Sequence, residues 1–370
     1  MPHSAPSIPV RRTRRQPALR PASLGPVCSP ADGPPPSTDL ISSALGSSII
    51  THSDEFFAAA SNLNNPSAPI HRPGVFIPTG AWYDGWETRR HNPAPFDYVI
   101  VRLGVAAGLI RGIEVDTAYF TGNYAPEISV EGTYEPGPGA DEKVKTWEYA
   151  GWKEVLGRKD CGPSQRHGWA VRGPIEKLPI THVRLRMYPD GGIARFRVYG
   201  LAKPVWPEGS AEVELSAARM GGVCLSVSDQ HFGTGSNLLL PGRGKDMGDG
   251  WETKRSRGEH VDWAIIKLGA RGTVSKIVVD TAFFRGNFPQ KVKVEALSWA
   301  QDMEPQAGSE AWTDIVETTK CGPDQEHELA SLIKDKPITH VKLIMIPDGG
   351  VKRLRVFGKR AQESTLNSHC

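Results

Sequence analysis

A charged seven-residue segment occurs twice in this chain. Residues 84–90 read DGWETRR, and residues 249–255 read DGWETKR. The repetition extends further, because residues 178–200 align without a gap with residues 336–358 and 15 of those 23 positions are identical. The repeat is far longer than the roughly 20–50 residues of a solenoid unit, so each copy is expected to form a whole domain. The total length of 370 residues fits two such domains.

The repeats and the local composition divide the chain into five parts. These are an extension at 1–37, a first repeat at 38–201, a linker at 202–212, a second repeat at 213–359 and a tail at 360–370. The extension contains ten prolines and five arginines but a single acid, Asp32. This composition is typical of a disordered segment, and its prolines argue against an amphipathic targeting helix.

Net charge and hydropathy limit the partners of the folded part. The whole chain has a formal charge of +3, yet the residues after position 37 comprise 39 basic and 40 acidic side chains. Nucleic-acid binding depends on clustered basic residues, so we expect no nucleic-acid partner. No run of about 18 apolar residues is present, so we expect no membrane span.

The cysteines and the chain ends indicate a compartment. Five cysteines without CxxC spacing, and no apolar signal-peptide segment, favour a reducing, cytoplasmic location. The C-terminal residues Ser368-His369-Cys370 lack the leucine of a peroxisomal signal, although a peroxisome or another organelle stays open.

Short strands dominate the predicted secondary structure. In Thr181–Tyr188, the apolar residues Val183, Leu185 and Met187 alternate with polar ones, and a Pro-Asp-Gly-Gly turn leads into Ala194–Tyr199. Further strands are predicted at 98–103, 110–116 and 127–131 and at their counterparts 263–268, 274–280 and 291–296. Short helices are expected only at 38–45 and 58–63. The pattern predicts an all-β protein of two tandem jelly-roll β-sandwich domains.

Several paired motifs resemble the allantoicase family. They are DGWET(R/K)R, (F/V)DxxI(V/I)(R/K)LG, VDTAxFxGN, CGPxQxH and PITHV(R/K)LxMxPDGG, and they extend over about residues 40–359. The resemblance implies hydrolysis of allantoate to ureidoglycolate and urea, jelly-roll sandwiches similar to galactose-binding modules, and a homo-oligomer. The family usually has a His directly before the Asp-aromatic pair. Here Phe96 precedes Asp97, and His260 lies two residues before Asp262.

Allantoate carries one carboxylate and two ureido groups, which sets the residue types that a site requires. Arginine pairs with a carboxylate through two N–H groups, while Asp, Glu and Asn accept from ureido N–H groups. We expect Glu252 or Glu87 to activate water or take a ureido proton, and Asp280, Asp116 or a nearby His to protonate the departing urea. The candidate substrate-binding residues are Asp84, Arg89, Arg90, Thr117 and Asn123 in the first repeat and Asp249, Lys254, Arg255, Thr281 and Asn287 in the second.

Each candidate also has a purely structural interpretation. Trp86 and Trp251 are favoured as core anchors, and the Glu–Arg pairs of the motif could be structural ion pairs. Asp116 with Thr117 could cap a strand end. The arginines at 184, 186, 195 and 197 are predicted to lie on solvated sheet faces. The repeat-equivalent Cys161 and Cys321 are favoured as buried thiols over nucleophiles.

The duplicated histidines raise the question of a metal. His167 and His327 lie in CGPxQxH, and His182 and His340 lie in PITH. No HExxH or other tight ligand cluster accompanies them, so a structural role is favoured. No cofactor is firmly implied, and a divalent metal stays open.

Two further alternatives concern the function as a whole. The chain could be a non-catalytic tandem module that binds a small polar or carbohydrate ligand, since β-sandwiches of this type often do so. Missing secretion signals and the charged motif argue for the enzyme. Alternatively, one repeat could be catalytic and the other structural, in which case the fuller pattern around His260 favours the second; a site shared between repeats or subunits also stays open.

Overall fold

The computed structural model describes residues 37–146, 148–209, 211–256, 259–301 and 303–361. The extension predicted at 1–37 and the tail predicted at 360–370 therefore lie almost entirely outside the described residues.

The first repeat is built mainly from strands. These are β1 (Thr38–Asp39), β2 (Ser48–His52), β3 (Phe76–Ile77), β4 (Gly80–Ala81), β5 (Trp86–Glu87), β6 (Asp97–Arg102), β7 (Gly108–Asp116), β8 (Glu127–Thr133), β9 (Lys153–Asp160), β10 (Arg166–Ala170), β11 (His182–Tyr188), β12 (Gly192–Ile193) and β13 (Arg195–Ala202). They are accompanied by the helix α1 (Ala140–Lys145) and by 3₁₀ turns at Ser43–Leu45, Ala60–Asn62 and Pro174–Lys177.

The second repeat follows the same plan. Its strands are β14 (Glu212–Glu214), β15 (Val223–Val227), β16 (Phe232–Gly233), β17 (Trp251–Glu252), β18 (Asp262–Asp280), β19 (Lys291–Leu297), β20 (Thr313–Lys320), β21 (Glu326–Ala330), β22 (Ile338–Ile346), β23 (Gly350–Val351) and β24 (Arg353–Arg360). Its 3₁₀ turns are Ala218–Met220, Gly235–Leu239 and Met247–Asp249.

Two antiparallel sheets form the first sandwich. One has the strand order β1-β13-β7-β10, and the other has the order β2-β6-β11-β8-β9. The alternation in β11 places Val183, Leu185 and Met187 at 0% exposure between the sheets. The predicted fold class, all-β with two tandem jelly-roll sandwiches, is confirmed.

The second sandwich differs in one strand. The 19-residue β18 joins its neighbours into one continuous eight-stranded sheet, and its register with β22 shifts between Lys267 and Gly272. The sequence predicted two strands here, at 263–268 and 274–280, as β6 and β7 are separate in the first repeat. The connection between the matched strands is one residue shorter in the second repeat, which favours a continuous bent strand over a loop.

Both predicted N-terminal helices were wrong. The segment 38–45 forms strand β1, whose Thr38 and Asp39 pair with Gly200 and Tyr199, followed by a 3₁₀ turn that ends at Gly46 with a φ of 94°. Pairing with β13 thus outweighs local helix propensity. The segment 58–63 contains only the short turn Ala60–Asn62.

The prediction of solvated sheet faces was wrong for the arginines of β13, whereas those of β11 are partly exposed. Arg195 and Arg197 are 2% and 8% exposed rather than solvated. Arg184 donates from Nε to Glu131 at 2.6 Å, and the guanidinium of Arg186 lies 3.0 Å from the same carboxylate. A long guanidinium side chain can occupy an interior position when a carboxylate neutralises it, so period-two alternation did not separate apolar from polar environments here.

Strand register places the repeated motifs at one end of each sandwich. Asp97 pairs with Met187, whereas Arg102 pairs with His182 at the far end of the same strands. We call the end that carries the motifs the motif rim. Its residues in the first repeat are Asp54, 84–92, Asp97, 116–123 and Asp190, and those in the second are Asp229, 249–255, His260, Asp262, 280–287 and Asp348.

The linker contacts both repeats. The Lys203 N–H donates to the Ala107 carbonyl at 2.8 Å, and the Arg360 guanidinium lies 5.5 Å from the Trp206 ring centroid. Within the described residues, no helix has the length and apolar character needed to span a membrane.

Candidate active site

A buried tryptophan holds each copy of the seven-residue motif in place. Trp86 and Trp251 are both 0% exposed. Their indole N–H groups donate to the carbonyls of Asp54 at 2.7 Å and Asp229 at 3.0 Å. The core interpretation of both tryptophans is confirmed, and each fixes the following glutamate relative to the sandwich.

The glutamate of the motif contacts an asparagine in both repeats. Asn123 Nδ2 donates to Glu87 Oε1 at 2.6 Å, and Asn287 Nδ2 donates to Glu252 Oε1 at 2.6 Å. The sequence placed these residues in one site, and the structure brings them together. Burial raises the pKa of Glu87, while the Asn123 hydrogen bond and the charge of Arg90 act in the opposite direction. A carboxyl with a raised pKa in such surroundings is a candidate for proton transfer.

The first aspartate of the motif forms an ion pair with a buried arginine. Arg195 Nη2 lies 2.8 Å from Asp84 Oδ2, and Arg353 Nη2 lies 3.3 Å from Asp249 Oδ2. Each arginine also donates to the carbonyl of the same aspartate, at 3.0 Å and 2.6 Å. These contacts tie the motif to β13 in the first repeat and to β24 in the second. Asp84 and Asp249 therefore stabilise the frame of the site, by which we mean the buried contacts that hold the motif in place.

The second repeat adds a lysine to this ion pair. Lys352, at the position equivalent to Ala194, is 0% exposed. Its ammonium group contacts the Asp249 carboxylate and the Asp246 carbonyl. The second repeat therefore neutralises Asp249 with two cations, whereas the first uses one.

The aspartates at the ends of β7 and β18 have different surroundings. Asp116 Oδ1 and Asp280 Oδ1 each accept from a backbone N–H two residues later at 2.8 Å. Asp280 is fully buried and also accepts from Arg243 Nε and Nη2 at 2.9 Å and 2.8 Å. Burial raises the pKa of Asp116, with the charges of Arg166 and Arg195 partly opposing it. Among the described residues, these contacts tie Asp280 to the exposed Arg243 rather than to the Glu252–Asn287 pair.

The threonines after these aspartates are engaged within the protein. The hydroxyls of Thr117 and Thr281 donate to the carbonyls of Gly162 at 2.6 Å and Gly322 at 2.7 Å. Both threonines are 0% exposed. In this state their side chains hold the CGP turn against the strand end.

The CGPxQxH segment forms a structural turn in both repeats. His167 Nε2 accepts from the Gly162 N–H at 3.0 Å, and His327 Nε2 accepts from the Gly322 N–H at 2.8 Å. Burial raises the pKa of the Cys161 thiol to about 12, which disfavours the nucleophilic thiolate. Across the described part of the chain, no three His, Cys, Asp or Glu side chains are grouped so as to hold a metal ion.

Both cations of the first motif are bound to the protein itself. Arg89 donates from Nε and Nη2 to Asp54 Oδ1 at 3.1 Å and 2.9 Å. Arg90 donates to Asp190 Oδ1 at 3.2 Å and to the Gly122 carbonyl at 2.7 Å. An incoming carboxylate would have to displace these partners.

The equivalent cations of the second motif are exposed and available. Lys254 is held through its backbone N–H, which donates to Asp229 Oδ2 at 2.6 Å. Asp348 accepts from the Ser256 N–H at 2.6 Å. Among the residues the structure describes, neither the Lys254 ammonium nor the Arg255 guanidinium has a hydrogen-bond or ion-pair partner.

A fully buried aspartate begins the strand after the motif in each repeat. In the first repeat, Asp97 Oδ1 accepts from Ser53 Oγ at 2.6 Å and Asn92 Nδ2 at 2.9 Å. Sequence reasoning assigned no role to Asn92 or Ser53. The signal available was the Ser-Asp pair at 53–54, which recurs at 228–229.

A histidine replaces the asparagine in the second repeat. Asp262 Oδ1 accepts from Ser228 Oγ at 2.6 Å and lies 2.8 Å from His260 Nε2. The ungapped alignment pairs His260 with Pro95, not with Asn92, so sequence comparison alone could not reveal this exchange. The His260 side chain is 42% exposed, whereas Asp262 is 0% exposed.

A cavity lies at the opposite end of the first sandwich. It has a volume of about 430 Å³, and its lining includes Arg102, Asp141, His182 and Arg219. His182 Nε2 lies 3.0 Å from Asp141 Oδ1. None of the residues predicted for catalysis or substrate binding lines this cavity.

Comparisons with known proteins agree with the repeated architecture. A sequence model of the allantoicase repeat matches residues 38–203 and 213–361. An allantoicase of Neurospora crassa is 61% identical over 87% of this chain and 91% of its own length. An allantoicase of Saccharomyces cerevisiae is 49% identical over 86% of this chain and 93% of its own length.

Solved structures give the same result. The crystal structure of the Saccharomyces cerevisiae allantoicase is similar to this chain with a TM-score of 0.77 and 48% identity, over 87% of this chain and 93% of that one. The chain belongs to the allantoicase family.

Proposed function

We infer that the protein is an allantoicase, a hydrolase that converts allantoate and water to ureidoglycolate and urea. Family membership over both repeats carries this conclusion. The motif rims support it chemically, because each holds a partly or fully buried Glu–Asn pair within a few residues of two cations. A carboxylated diureide needs these groups, namely cations for its carboxylate and amide or carboxylate oxygens for its ureido N–H groups.

The proposed reaction needs one base and one acid. A water oxygen bonds to the central carbon of allantoate while the bond from that carbon to one ureido nitrogen breaks. Glu252 or Glu87 takes the proton of the attacking water, and a second group delivers a proton to the departing nitrogen. Positioned groups of this kind each contribute about 10²–10⁴-fold to the rate. Asp116, Asp280 and a nearby histidine are the candidates for the second group.

Substrate recognition is assigned to the rest of the rim. Beside the glutamates, Asn123 and Asn287 form hydrogen bonds with the ureido groups of allantoate. The candidate receptors for its carboxylate are Arg89, Arg90, Lys254 and Arg255. Asp84, Asp249, Thr117 and Thr281 act in this proposal by holding the binding side chains in place, since their own polar groups are engaged within the protein.

Oligomeric state and location are further parts of the proposal. We expect a homo-oligomer in the cytoplasm, with allantoate as the small-molecule partner. Light scattering of the purified chain tests the first expectation, and microscopy of a fluorescent fusion tests the second.

The reaction is tested by urea release from allantoate. Wild-type protein is expected to release one urea per ureidoglycolate, and the double variant Glu87→Gln/Glu252→Gln is expected to release none above background. The same assay after exhaustive chelation, with and without added Mn²⁺ or Zn²⁺, measures any metal requirement. No urea from the wild type under any of these conditions would refute the proposed function.

A further inference from the structure

The two motif rims share a frame but differ in the groups left free to meet a ligand. Arg89 and Arg90 are each paired with a buried aspartate, Asp54 or Asp190. Lys254 and Arg255 are exposed without a described side-chain partner. This asymmetry bears on where the substrate reacts.

We propose that allantoate binds and reacts at the second rim, with Arg255 and Lys254 as its carboxylate receptor and His260 as the proton donor to the departing urea. This inference rests on the proposed function and divides the work between the repeats. The first rim then serves as a structural counterpart of the second.

The cost of ligand binding differs between the rims. At the first rim, a substrate carboxylate would compete with Asp54, which already accepts two guanidinium N–H groups of Arg89. Removing one partner of such a buried charge leaves the other uncompensated and is unfavourable. At the second rim, Arg255 can form a two-point contact with a carboxylate at no such cost.

The second-rim groups belong to one hydrogen-bonded frame. Asp229 accepts from the Lys254 N–H, and the neighbouring Ser228 donates to the Asp262 oxygen that also contacts His260. The His231 N–H donates to the Glu252 carbonyl at 3.1 Å. The turn at 228–231 therefore connects the base, the cations and the histidine.

His260 has the environment of a proton donor. Its Nε2 is held by the buried Asp262, and within the described residues its Nδ1 has no partner. A buried carboxylate on one ring nitrogen orients the imidazole and leaves the other nitrogen to face a ligand. In the first repeat, the amide of Asn92 makes the equivalent contact but cannot carry the proton.

Asp280 is poorly suited to the same task. It is fully buried, and both of its oxygens accept from Arg243. Because both oxygens already accept hydrogen bonds from Arg243, neither is positioned to meet a departing nitrogen. The proton donor at the second rim is therefore His260.

In the proposed step, one proton moves to Glu252 and another leaves His260. The water oxygen bonds to the central carbon, its proton passes to Glu252, and the carbon–nitrogen bond breaks. Protonated His260 gives its proton to the leaving nitrogen, which yields urea. Solvent then returns the proton from Glu252 to His260, and ureidoglycolate leaves.

The carboxylate receptor is tested by the matched variants Arg255→Ala and Arg90→Ala. We expect Arg255→Ala to raise KM for allantoate by at least tenfold, and Arg90→Ala to raise it by less than about threefold while lowering thermal stability. Arg271→Ala, which changes an exposed arginine of the same repeat outside the motif rim, is the charge control. Equal KM changes in the first two variants, with a wild type that releases urea, would overturn this assignment and leave the proposed function intact.

The proton donor is tested with His260→Asn, since asparagine preserves a hydrogen bond to Asp262 as Asn92 does to Asp97. We expect kcat to fall about 10²–10⁴-fold with KM within a few fold of the wild type. Added imidazole is expected to restore part of the kcat of His260→Ala. A purely structural role would instead be satisfied by asparagine and indifferent to imidazole, so an active His260→Asn would overturn the proposal.

Discussion

The two repeats keep the same frame and use their charged side chains differently. The indole–carbonyl contact, the 2.6 Å Glu–Asn contact and the Thr–Gly contact recur in both. The cations after the glutamate differ, because those of the first repeat are paired with Asp54 and Asp190, whereas those of the second have no side-chain partner among the described residues. The repeats thus keep the site residues at matching positions. Different intramolecular partners, however, determine which of these side chains are available to bind a ligand.

The first aspartates of the two motifs differ in the opposite sense, because the second repeat supplies more buried cations than the first. Asp84 has one buried cation, Arg195, whereas Asp249 has two, Lys352 and Arg353. The second repeat therefore neutralises Asp249 more completely, while Lys254 and Arg255 have no side-chain partner within the part of the chain that the structure describes.

The largest difference in kcat is expected between variants of the two motif glutamates. Glu252→Gln is predicted to lower kcat about 10²–10⁴-fold, because it removes the base at the rim with free cations. Glu87→Gln is predicted to lower kcat by less than about fivefold, since substrate does not react there. Steady-state urea release measures both, with circular dichroism as the folding control. Equal losses would show that both rims contribute.

Loss of a buried arginine should destabilise the first repeat more than the second. Arg195→Met leaves the Asp84 carboxylate without its cation, at an expected cost of about 3–5 kcal/mol. Arg353→Met is predicted to cost less, because Lys352 still contacts Asp249. Denaturant unfolding of both variants tests the order, and a larger loss in Arg353→Met would contradict it.

Acid is expected to weaken the second repeat through His340. Burial and the charge of Lys267 lower its pKa from 6.5 to about 4. The unfolded chain therefore binds this proton more tightly, and stability falls as pH drops from 6.5 towards 4, by on the order of 3 kcal/mol.

The variant His340→Gln removes this titration. We expect the loss of unfolding free energy between pH 7.5 and pH 4.5 to be smaller in the variant than in the wild type. Denaturant unfolding at both pH values measures it. Identical losses in the two proteins would exclude His340 as a source of the acid sensitivity.

The smallest expected effect concerns the shared frame. Thr117→Val and Thr281→Val each remove a hydroxyl that serves a glycine carbonyl and the N–H of the following Gln. Each is predicted to cost about 1–3 kcal/mol. Because the contacts match, the two losses should agree to within about 1 kcal/mol. Clearly unequal losses would show that the frame has also diverged.

Sequence patterns predicted the parts of the molecule that depend on repetition and on apolar periodicity. The strand of Val183, Leu185 and Met187, the buried tryptophans and the joining of Glu with Asn follow from features that recur at matching positions. A residue that recurs at matching positions of both repeats indicates that the two positions have similar surroundings, even when those surroundings are unknown. This is why the fold class followed from the sequence.

The remaining features depend on contacts between non-matching positions. Asn92 and His260 occupy equivalent places beside Asp97 and Asp262 although they do not align. Arg243 reaches Asp280 from a segment that is shorter in the second repeat. Such contacts arise from loop geometry, which carries no periodic signal.

The sequence pattern likewise did not predict which charged side chains are buried. Arg195 alternates with apolar residues as a solvent-facing residue would, yet it is 2% exposed. Its position depends on Asp84, 111 residues earlier in the chain. Only the folded arrangement shows that this pair is internal.

The division of work between the repeats is tested most directly by counting bound ligands. Isothermal titration of the Glu252→Gln variant with allantoate measures the number of sites per chain without rapid turnover. One site per chain, abolished by adding Arg255→Ala and retained with Arg90→Ala, is the predicted result. Two equivalent sites per chain, or a single site lost with Arg90→Ala, would contradict it.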